Sequence, residues 1–198
     1  MKKGEKRKKE LLMIAYRLFL SRGYENTSVD DIIEEAGIAK GTYYYYFESK
    51  EQMLEEVIAM MIDKEAEAAM MIAESDMPIP QKIVGVITSF RPAEEEFTIE
   101  NAVNRPENVL MHEKTHIRLF EKVVPILSGI VVEGVNEGIF SCDNITERIK
   151  MLIHMSSYTF DDGDFTEKDV DVFIDMTEKL LGAAPGTMGF IRMVIGGI

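Results

Sequence analysis

Residues 27–51 read TSVDDIIEEAGIAKGTYYYYFESKE, and this stretch decides the fold of the first part of the chain. Ser28 is a favourable N-cap, and Asp31, three residues later, can complete a capping box. Apolar residues then recur at spacings of three and four as far as Ala36, as on the buried face of an amphipathic helix. Gly37 suits the left-handed conformation that commonly ends a helix. The first half of this stretch therefore predicts a short helix followed by a tight turn.

A second short helix is predicted after this turn. It begins at Ala39 or Lys40 and ends at Phe47, because Ser49 is placed to cap the helix that follows. Two short helices joined in this way form a helix-turn-helix, whose second helix enters the major groove of DNA. The stretch therefore predicts a DNA-binding domain, with this second helix as its recognition helix.

The recognition helix contains four consecutive tyrosines that cannot all face inward. At 100° per residue, an arc about 140° wide holds Lys40, Gly41, Tyr44 and Tyr45. The other side holds Tyr43, Tyr46 and Phe47, which are expected to pack against the core of the domain. A lysine neutralises phosphate, a glycine lets the helix approach the bases, and a tyrosine hydroxyl can bond a phosphate oxygen. The first face is therefore predicted to contact DNA, in preference to the alternative that all the tyrosines fill a small core.

Two runs, GIAKGTYYYYFESKEQM at residues 37–53 and AYRLFLSRGYENTSVDDIIEEAG at residues 15–37, resemble the signature of the TetR (tetracycline-repressor) family of regulators. The resemblance covers about the first sixty residues. The DNA contacts that it implies are Thr27 or Ser28, then Lys40, Gly41, Thr42, Tyr44 and Tyr45, and Lys50 on phosphate. The usual leucine of the family is Tyr43 here, and its usual histidine is Tyr45. The second change alters a DNA-facing group, so the resemblance does not predict the operator sequence.

Charge is distributed unevenly along the chain. The net charge is −13, which by itself argues against a general nucleic-acid binder. Residues 1–50 carry ten Lys or Arg against eight Asp or Glu, whereas residues 51–198 carry 12 against 27. The positive excess therefore lies beside the predicted recognition helix. The opening run KKGEKRKK, residues 2–9, is expected to be a mobile arm that attracts phosphate, with a simple disordered terminus as the alternative.

Composition narrows the class of protein. With 198 residues and 46% hydrophobic content, the chain can bury a sizeable core in one or two domains. It has neither an apolar run of transmembrane length nor a pattern typical of a signal peptide. Cys142 is the only cysteine, so no intramolecular disulfide can form, which indicates a reducing compartment. We therefore expect a cytoplasmic protein that does not contact membranes.

Beyond the motif, the hydrophobic periodicity predicts helices throughout, so the predicted fold class is all-α. The predicted helices lie at about residues 5–22, 50–74, 81–90, a short stretch after Pro92, 106–137, 144–160 and 166–181. Pro125 is expected to kink the long helix, and Asn144 and Thr166 are expected to cap the last two. The apolar tail after Leu181 is too short to span a bilayer, and its packing does not follow from the sequence.

The resemblance also implies a homodimer, because the last two long helices of each TetR subunit pack as a four-helix bundle. The predicted subunit-contact faces are Ile145, Ile149, Leu152, Ile153 and Ser156 on one helix, and Val170, Phe173, Ile174, Thr177 and Leu181 on the next. A dimer would place two recognition helices on half-sites about one DNA turn apart. The alternative is that these faces complete the core of a monomer.

Residues 112–116 read HEKTH, which matches the HExxH pattern of zinc hydrolases. In that pattern two histidines one helical turn apart bind zinc, and the glutamate, here Glu113, activates water. No convincing third ligand follows, since His154 is the only other histidine. We therefore expect His112 and His116 to be polar residues in or near a ligand cavity, while metal binding without catalysis remains an alternative.

TetR-like regulators enclose a small-molecule cavity in the helices that follow the DNA-binding head. The candidate lining residues are Met61, Phe90, Met111, His112, His116, Phe120, Met155 and Tyr158. Methionine adapts to irregular apolar ligands, although ordinary core packing is an equally good explanation for each residue taken singly.

The sequence thus predicts a helix-turn-helix domain over residues 1–50 and a helical ligand-binding and dimerisation domain over residues 51–198. The predicted function is that of a cytoplasmic, homodimeric repressor that a small molecule releases from a palindromic operator, without a cofactor. The alternatives are a metal-dependent hydrolase and a ligand-independent architectural DNA binder.

Overall fold

The structure is a computed structural model that describes residues 3–91, 93–160 and 164–195. Over these ranges the chain forms helices and no strand, which confirms the predicted all-α class. The α-helices are α1 (Lys3–Arg22), α2 (Val29–Ala36), α3 (Lys40–Tyr46), α4 (Lys50–Ala73), α5 (Ile79–Ser89), α6 (Phe97–Val103), α7 (Val109–Asn136), α8 (Ile145–Phe160), α9 (Glu167–Leu181) and α10 (Ile191–Ile195). Single 3-10 turns at Glu94–Glu96 and Pro106–Asn108 precede α6 and α7. No helix of the described residues is both long and apolar enough to cross a membrane.

The helices pack into two compact units. The first unit combines the described residues up to 64 with residues 93–119, and the second combines residues 65–91 with the described residues from 120 onward. Helices α4 and α7 therefore contribute residues to both units. The functional division at residue 50 stays a prediction, because units of packing and domains of function need not share a boundary.

The first unit is built around the apolar face of α1. Leu11, Ala15 and Phe19 of that helix are completely buried, as are Ile32 of α2 and Leu54 of α4. Full burial of a large aliphatic or aromatic side chain contributes about 1.5–3 kcal/mol. This core therefore fixes α2 and α3 against α1 and the start of α4.

The segment around α6 completes the core of the first unit. Ile99 and Val103 of α6 and Met111 of α7 are buried in the same cluster as the α1 residues. The hydroxyl of Tyr16 donates to the carboxylate of Glu96 at 2.6 Å, and Glu96 itself is only 8% exposed. The helix-turn-helix thus shares its core with residues far along the chain.

Side-chain caps define the ends of two helices as the sequence predicted. The hydroxyl of Ser28 accepts from the backbone N–H of Asp31, whose carboxylate accepts from the backbone N–H of Ser28. Thr166 and Asp169 form the same reciprocal box at the start of α9. These hydrogen bonds, above all that from the hydroxyl at each cap, hold the pKa of both aspartates below the usual range.

Glycines in the left-handed conformation end the same two helices. Gly37 follows α2 with φ 58°, and Gly182 follows α9 with φ 62°. A Cβ at Gly37 would meet no atom within 4 Å, whereas a Cβ at Gly182 would overlap the carbonyl oxygen of Ser141. Gly182 is therefore required both by its backbone conformation and by close packing.

The second unit has its own core, to which the apolar tail contributes. Met188, Ile191 and Ile195 are buried with Leu181, so the tail packs on the body of this unit. The backbone N–H of Met188 donates to the buried carboxylate of Glu178 at 2.9 Å, which holds the turn before α10. Residues 196–198 of the tail lie outside the described residues.

Three local expectations are corrected. The run from Lys3 onward is the first part of α1 and not a mobile arm. Pro106 opens a 3-10 turn, and the long helix begins only at Val109. Pro125 lies inside that helix as expected, and a kink there stays a prediction. Asn144 precedes α8 with φ 47°, a left-handed conformation that asparagine tolerates, and not with the extended backbone of an ordinary N-cap.

The predicted subunit-contact faces of the last two long helices are also corrected. The buried members, which form part of the core of the second unit, are Ile149, Leu152, Val170, Ile174 and Leu181. Ile145, Ile153 and Phe173 pack against that core. The buried side chains, and Thr177 with them, fill the interior of the single chain and are not available to a second subunit. Ser156 and the three side chains packed against the core are only partly buried, so a subunit contact by these four stays a prediction.

Candidate nucleic-acid interface

Helix α3 divides its tyrosines between the interior and the surface. Tyr43 is 0% exposed and Phe47 at its C-terminal end is 1% exposed, whereas Tyr44 is 47% and Tyr45 81% exposed. Tyr46 is half-buried. This pattern agrees with the division expected from the helical periodicity, in which one face packs and the adjacent face is offered to solvent.

Tyr43 holds α3 in place through its ring and its hydroxyl. Its ring meets that of Tyr44 edge-on at 5.3 Å between centroids and lies 5.7 Å from that of Phe47. Its hydroxyl donates to the carbonyl oxygen of Ser49 at 3.2 Å, which ties α3 to the start of α4. Burial raises the pKa of Tyr43 to about 12, so this hydroxyl keeps its proton at neutral pH.

The exposed face of α3 carries groups suited to DNA. The ammonium of Lys40 lies 3.2 Å from the carboxylate of Asp30, and both side chains are largely exposed. An ion pair so exposed to solvent contributes little free energy, so Lys40 can exchange Asp30 for a phosphate. A Cβ at Gly41 would meet no atom within 4 Å, so internal packing does not require a glycine there. Close approach of an external partner is a physical reason for this residue.

The structure distinguishes between Thr27 and Ser28, the two candidate DNA contacts at the start of α2. Thr27 is completely buried, and its hydroxyl donates to the carbonyl oxygen of Gly23 at 2.8 Å. Thr27 therefore packs the turn between α1 and α2, and the predicted DNA contact by its side chain is corrected. Ser28 is exposed at the N-terminus of α2 and remains the candidate of the pair. Thr42 of α3 is partly buried.

Lys50 is held inside the first unit. Its ammonium donates to the carbonyl oxygen of Tyr24 at 3.0 Å and lies 4.1 Å from the centroid of the Tyr24 ring. Burial, reinforced by Glu51, raises the pKa of Tyr24, so that ring stays neutral beneath the lysine. Lys50 thus anchors the first turn of α4 to the α1–α2 turn, and its contact with phosphate stays a prediction.

A basic surface on α1 was missed by treating this part of the chain as an arm. Lys6, Arg7, Lys9 and Arg17 line one shallow groove together with Met13, Ile14 and Glu10, whose carboxylate pairs with Arg7 at 2.9 Å. The signal was present in the sequence, because residues 6, 9, 13 and 17 recur at the spacing of one helical face. Once α1 is known to begin at Lys3, these residues form a fixed positive face in the same unit as α3.

The HEKTH segment lies on α7. The Nε2 atoms of His112 and His116 are 3.0 Å apart, and Glu113 beside them is exposed. Over the described part of the chain, no group of three or more His, Cys, Asp or Glu side chains is placed to hold a metal ion. The three protein ligands of a catalytic zinc site are therefore not assembled among those residues.

The predicted cavity residues are divided between the two units. Met61, Met111 and the two histidines of α7 belong to the first unit, where Met111 is buried in the core. Phe90, Phe120 and Met155 are partly buried against the core of the second unit. Tyr158 is 92% exposed on α8, so its predicted role in lining an enclosed cavity is corrected.

Comparisons with known proteins point to one family for both parts of the chain. Residues 11–57 match the family described as bacterial regulatory proteins, tetR family, and residues 93–179 match the tetracyclin repressor-like, C-terminal domain. A relative, the HTH-type transcriptional repressor KstR2 of Mycolicibacterium smegmatis, is 39% identical over 57 residues. That match covers 29% of this chain and 28% of the relative, so the chain spans less than a third of that protein.

Solved structures show the same fold. A structure from Mesorhizobium loti assigned to the TetR family superimposes with a TM-score of 0.61 at 18% identity, over 92% of this chain and 98% of that chain. A transcriptional regulator from Cytophaga hutchinsonii gives 0.59 at 21% identity, over 88% and 94%. These identities establish the fold alone. Because both family matches agree and together cover more than half of the sequence, the chain belongs to the TetR family of DNA-binding transcriptional regulators.

Proposed function

We propose that this regulator is a repressor that binds a palindromic operator as a homodimer and is released from it by a small molecule. The single observation that carries the DNA-binding part is the exposed face of α3, with Tyr44, Tyr45 and Lys40 outward over the buried Tyr43. Members of this family are DNA-binding regulators and not enzymes, so the hydrolase alternative is wrong. The repressor assignment is supported by the similarity to a protein named as a repressor.

We place the operator contacts on α3 and the start of α2. Tyr44 and Tyr45 offer ring edges to base or sugar and hydroxyls to phosphate, while Lys40 and the exposed Ser28 are suited to phosphate. Gly41 leaves room for the bases, with Thr42 beside it on the helix. Lys50 would reach phosphate only by leaving the carbonyl oxygen of Tyr24. The basic face of α1 adds attraction to phosphate without sequence preference.

A homodimer accounts for apolar side chains that the single chain leaves exposed. On α8, Met151 is 58% and Tyr158 92% exposed, two helical turns apart. On α9, Val172 is 56% and Met176 40% exposed, one turn apart. We propose that these outward faces of α8 and α9 form the contact between subunits. They replace the buried members of the faces predicted from the sequence, which lie in the core.

The effector is proposed to bind beside the core of the second unit. Phe90, Phe120 and Met155 each keep part of their surface outside that core, and the ring of His154 stacks on Phe120 at 4.6 Å. These side chains suit an apolar ligand with an aromatic or polar group. For release, the ligand must bind the DNA-free conformation better, and a tenfold change in operator affinity requires about 1.4 kcal/mol of such preference.

The decisive experiment is a footprint on the DNA that flanks the regulator's own gene. We expect two protected half-sites whose centres are about one helical turn, or a multiple of it, apart. Protection without sequence preference would instead support the architectural alternative. Size-exclusion chromatography with light scattering tests the subunit contact, since Met151→Glu and Val172→Glu should give monomers. A control change, Met71→Glu, alters a methionine that is 75% exposed on α4 and should leave the dimer intact.

A further inference from the structure

The second turn of α1 is joined to the turn that leads into α3. The guanidinium of Arg7 donates from Nη2 to the carbonyl oxygen of Ala36, the last residue of α2, at 3.4 Å. Its Nη1 donates to the carboxylate of Glu10 at 2.9 Å, which restrains the direction of the guanidinium. Positive charge is favourable at the C-terminus of a helix, where the last carbonyl groups lack partners within the helix. Arg7 therefore contacts the chain just before α3 begins.

Lys8, the next residue, contacts the chain where α3 ends. Its ammonium lies 5.5 Å from the centroid of the Phe47 ring and donates to the carboxylate of Glu56 on α4. A cation over an aromatic face is attracted by the ring, and more strongly where water is partly excluded. The start of α1 also lies beside Tyr46, because a Cβ at Gly4 would be 3.8 Å from the hydroxyl of that tyrosine. Helix α1 thus holds α3 from both of its ends.

The lysines on either side of this pair lie on the outside of α1. Lys6 and Lys9 are exposed, whereas Arg7 and Lys8 are partly buried. Three residues correspond to about 300° around a helix, so the two outer lysines lie within about 60° of each other. The run of four basic residues therefore contains two that face solvent and two whose charged groups contact other parts of the first unit.

We propose that Arg7 and Lys8 are positioning residues, which set the orientation of α3 and thereby the preference for the operator over other DNA. This inference rests on the proposed role of α3 in reading the operator. Helix α3 has only seven residues, and a helix so short depends on its tertiary contacts. Base contacts require a defined position in the groove, whereas attraction to phosphate is independent of sequence. Lys6 and Lys9 accordingly contribute to the affinity for any duplex, and Arg7 and Lys8 contribute to sequence preference.

The test makes the same substitution at four successive positions, so that each variant loses one positive charge and keeps an unbranched side chain: Lys6→Met, Arg7→Met, Lys8→Met and Lys9→Met. Fluorescence anisotropy of the full-length chain measures its affinity for the footprinted operator and for a scrambled duplex of the same length and composition. We expect the variants of Lys6 and Lys9 to weaken both complexes by the same factor, which leaves the ratio of the two affinities unchanged. The variants of Arg7 and Lys8 should reduce that ratio by about fivefold or more, roughly the discrimination of one weak base contact.

The ratio of the two affinities distinguishes positioning from a loss of stability. A smaller folded fraction lowers the affinity for both duplexes equally, and urea denaturation of each variant measures that fraction. A wild-type ratio in Arg7→Met or in Lys8→Met would overturn the role of that residue. If Lys6→Met or Lys9→Met reduced the ratio as much as the other two, the division of the basic run would be wrong.

Tyr44→Ala, measured on the same two duplexes, distinguishes failure of this proposal from failure of the proposed function. If Tyr44→Ala kept the wild-type ratio, α3 would not read the operator, and both proposals would be wrong. If Tyr44→Ala reduced the ratio while Arg7→Met and Lys8→Met kept it, α3 would still read the operator, and only the positioning role would be overturned.

Discussion

Substitutions at adjacent tyrosines of α3 should have different effects, one on the stability of the fold and the other on the affinity for DNA. Tyr43→Ala removes a side chain that is 0% exposed, together with its ring contacts and its hydrogen bond to Ser49. Truncating a buried aromatic residue to alanine costs about 3–5 kcal/mol. Since a domain is stable by only about 5–15 kcal/mol, this variant should lose a large fraction of its free energy of unfolding.

Tyr45→Ala should leave stability almost unchanged and weaken DNA binding. Its side chain is 81% exposed, so the free energy of unfolding should change by no more than about 0.5 kcal/mol. A contact with a base edge contributes about 1–3 kcal/mol, so operator affinity should fall by roughly five- to 150-fold for each recognition helix that loses the contact. Tyr44→Ala, at an intermediate exposure of 47%, should weaken operator binding as well.

Urea denaturation followed by circular dichroism measures the first quantity, and fluorescence anisotropy on the footprinted duplex measures the second. Tyr43→Phe separates the ring from the hydroxyl, because it removes only the bond to Ser49 and should cost about 1 kcal/mol. Wild-type operator affinity in both Tyr44→Ala and Tyr45→Ala would refute the assignment of the DNA-binding face. A loss of less than 1 kcal/mol in Tyr43→Ala would refute its packing role.

Three further changes test separate parts of the structure. Lys40→Ala should weaken binding to all DNA sequences, because the lysine is proposed to contact phosphate. It should also reduce the slope of log affinity against log salt by about 1 for each recognition helix, measured by anisotropy between roughly 50 and 200 mM salt. Gly182→Ala should lower the free energy of unfolding by more than the roughly 1–3 kcal/mol typical of left-handed strain, because its Cβ would also overlap a backbone oxygen. Gly138→Ala is the control: with φ 75° and open space around it, this variant should show the strain alone in urea denaturation. Asp31→Asn should make the free energy of unfolding less dependent on pH in the acid range. A carboxylate whose pKa is lowered by folding stabilises the fold above its unfolded-state pKa, and this effect is lost as pH falls through its folded-state pKa.

Each of these expectations has a definite contrary outcome. An unchanged salt slope in Lys40→Ala would exclude a phosphate contact by that residue. Equal losses of stability in Gly182→Ala and Gly138→Ala would mean that the close approach to Ser141 costs nothing. If Asp30→Asn, which leaves the cap of α2 intact, flattened the acid limb as much as Asp31→Asn, the cap would not be the cause of the pH dependence.

Local features of the chain were predictable because their causes are local. Ser28 with Asp31, Thr166 with Asp169, and Gly37 mark helix ends through hydrogen bonds and backbone conformations that involve only neighbouring residues. The division of the tyrosines in α3 followed from helical periodicity in the same way. The all-α class and the family of the chain therefore came from sequence alone.

The candidate site was predictable only in part. The exposed face of α3 followed from periodicity, but the burial of Thr27 depends on its hydrogen bond to Gly23 and on how α1 packs against the turn. The position of Lys50 likewise depends on Tyr24, 26 residues earlier in the chain. A periodic pattern shows which side of a helix is apolar or polar, but it does not show which other segment covers that side.

Tertiary structure alone decided what each apolar face contacts. By itself, the sequence predicted most of the helices, the caps at Ser28 and Thr166 and the division of side chains around α3, since these depend on short-range hydrogen bonding and on the angle between successive side chains. Only packing showed that Ile149 and Ile174 lie in the core while Met151 and Val172 remain outside it, because both sets are apolar and occur on the same two helices. The free energy of burying a side chain depends on the segments that surround it, and those segments come together only when the chain folds.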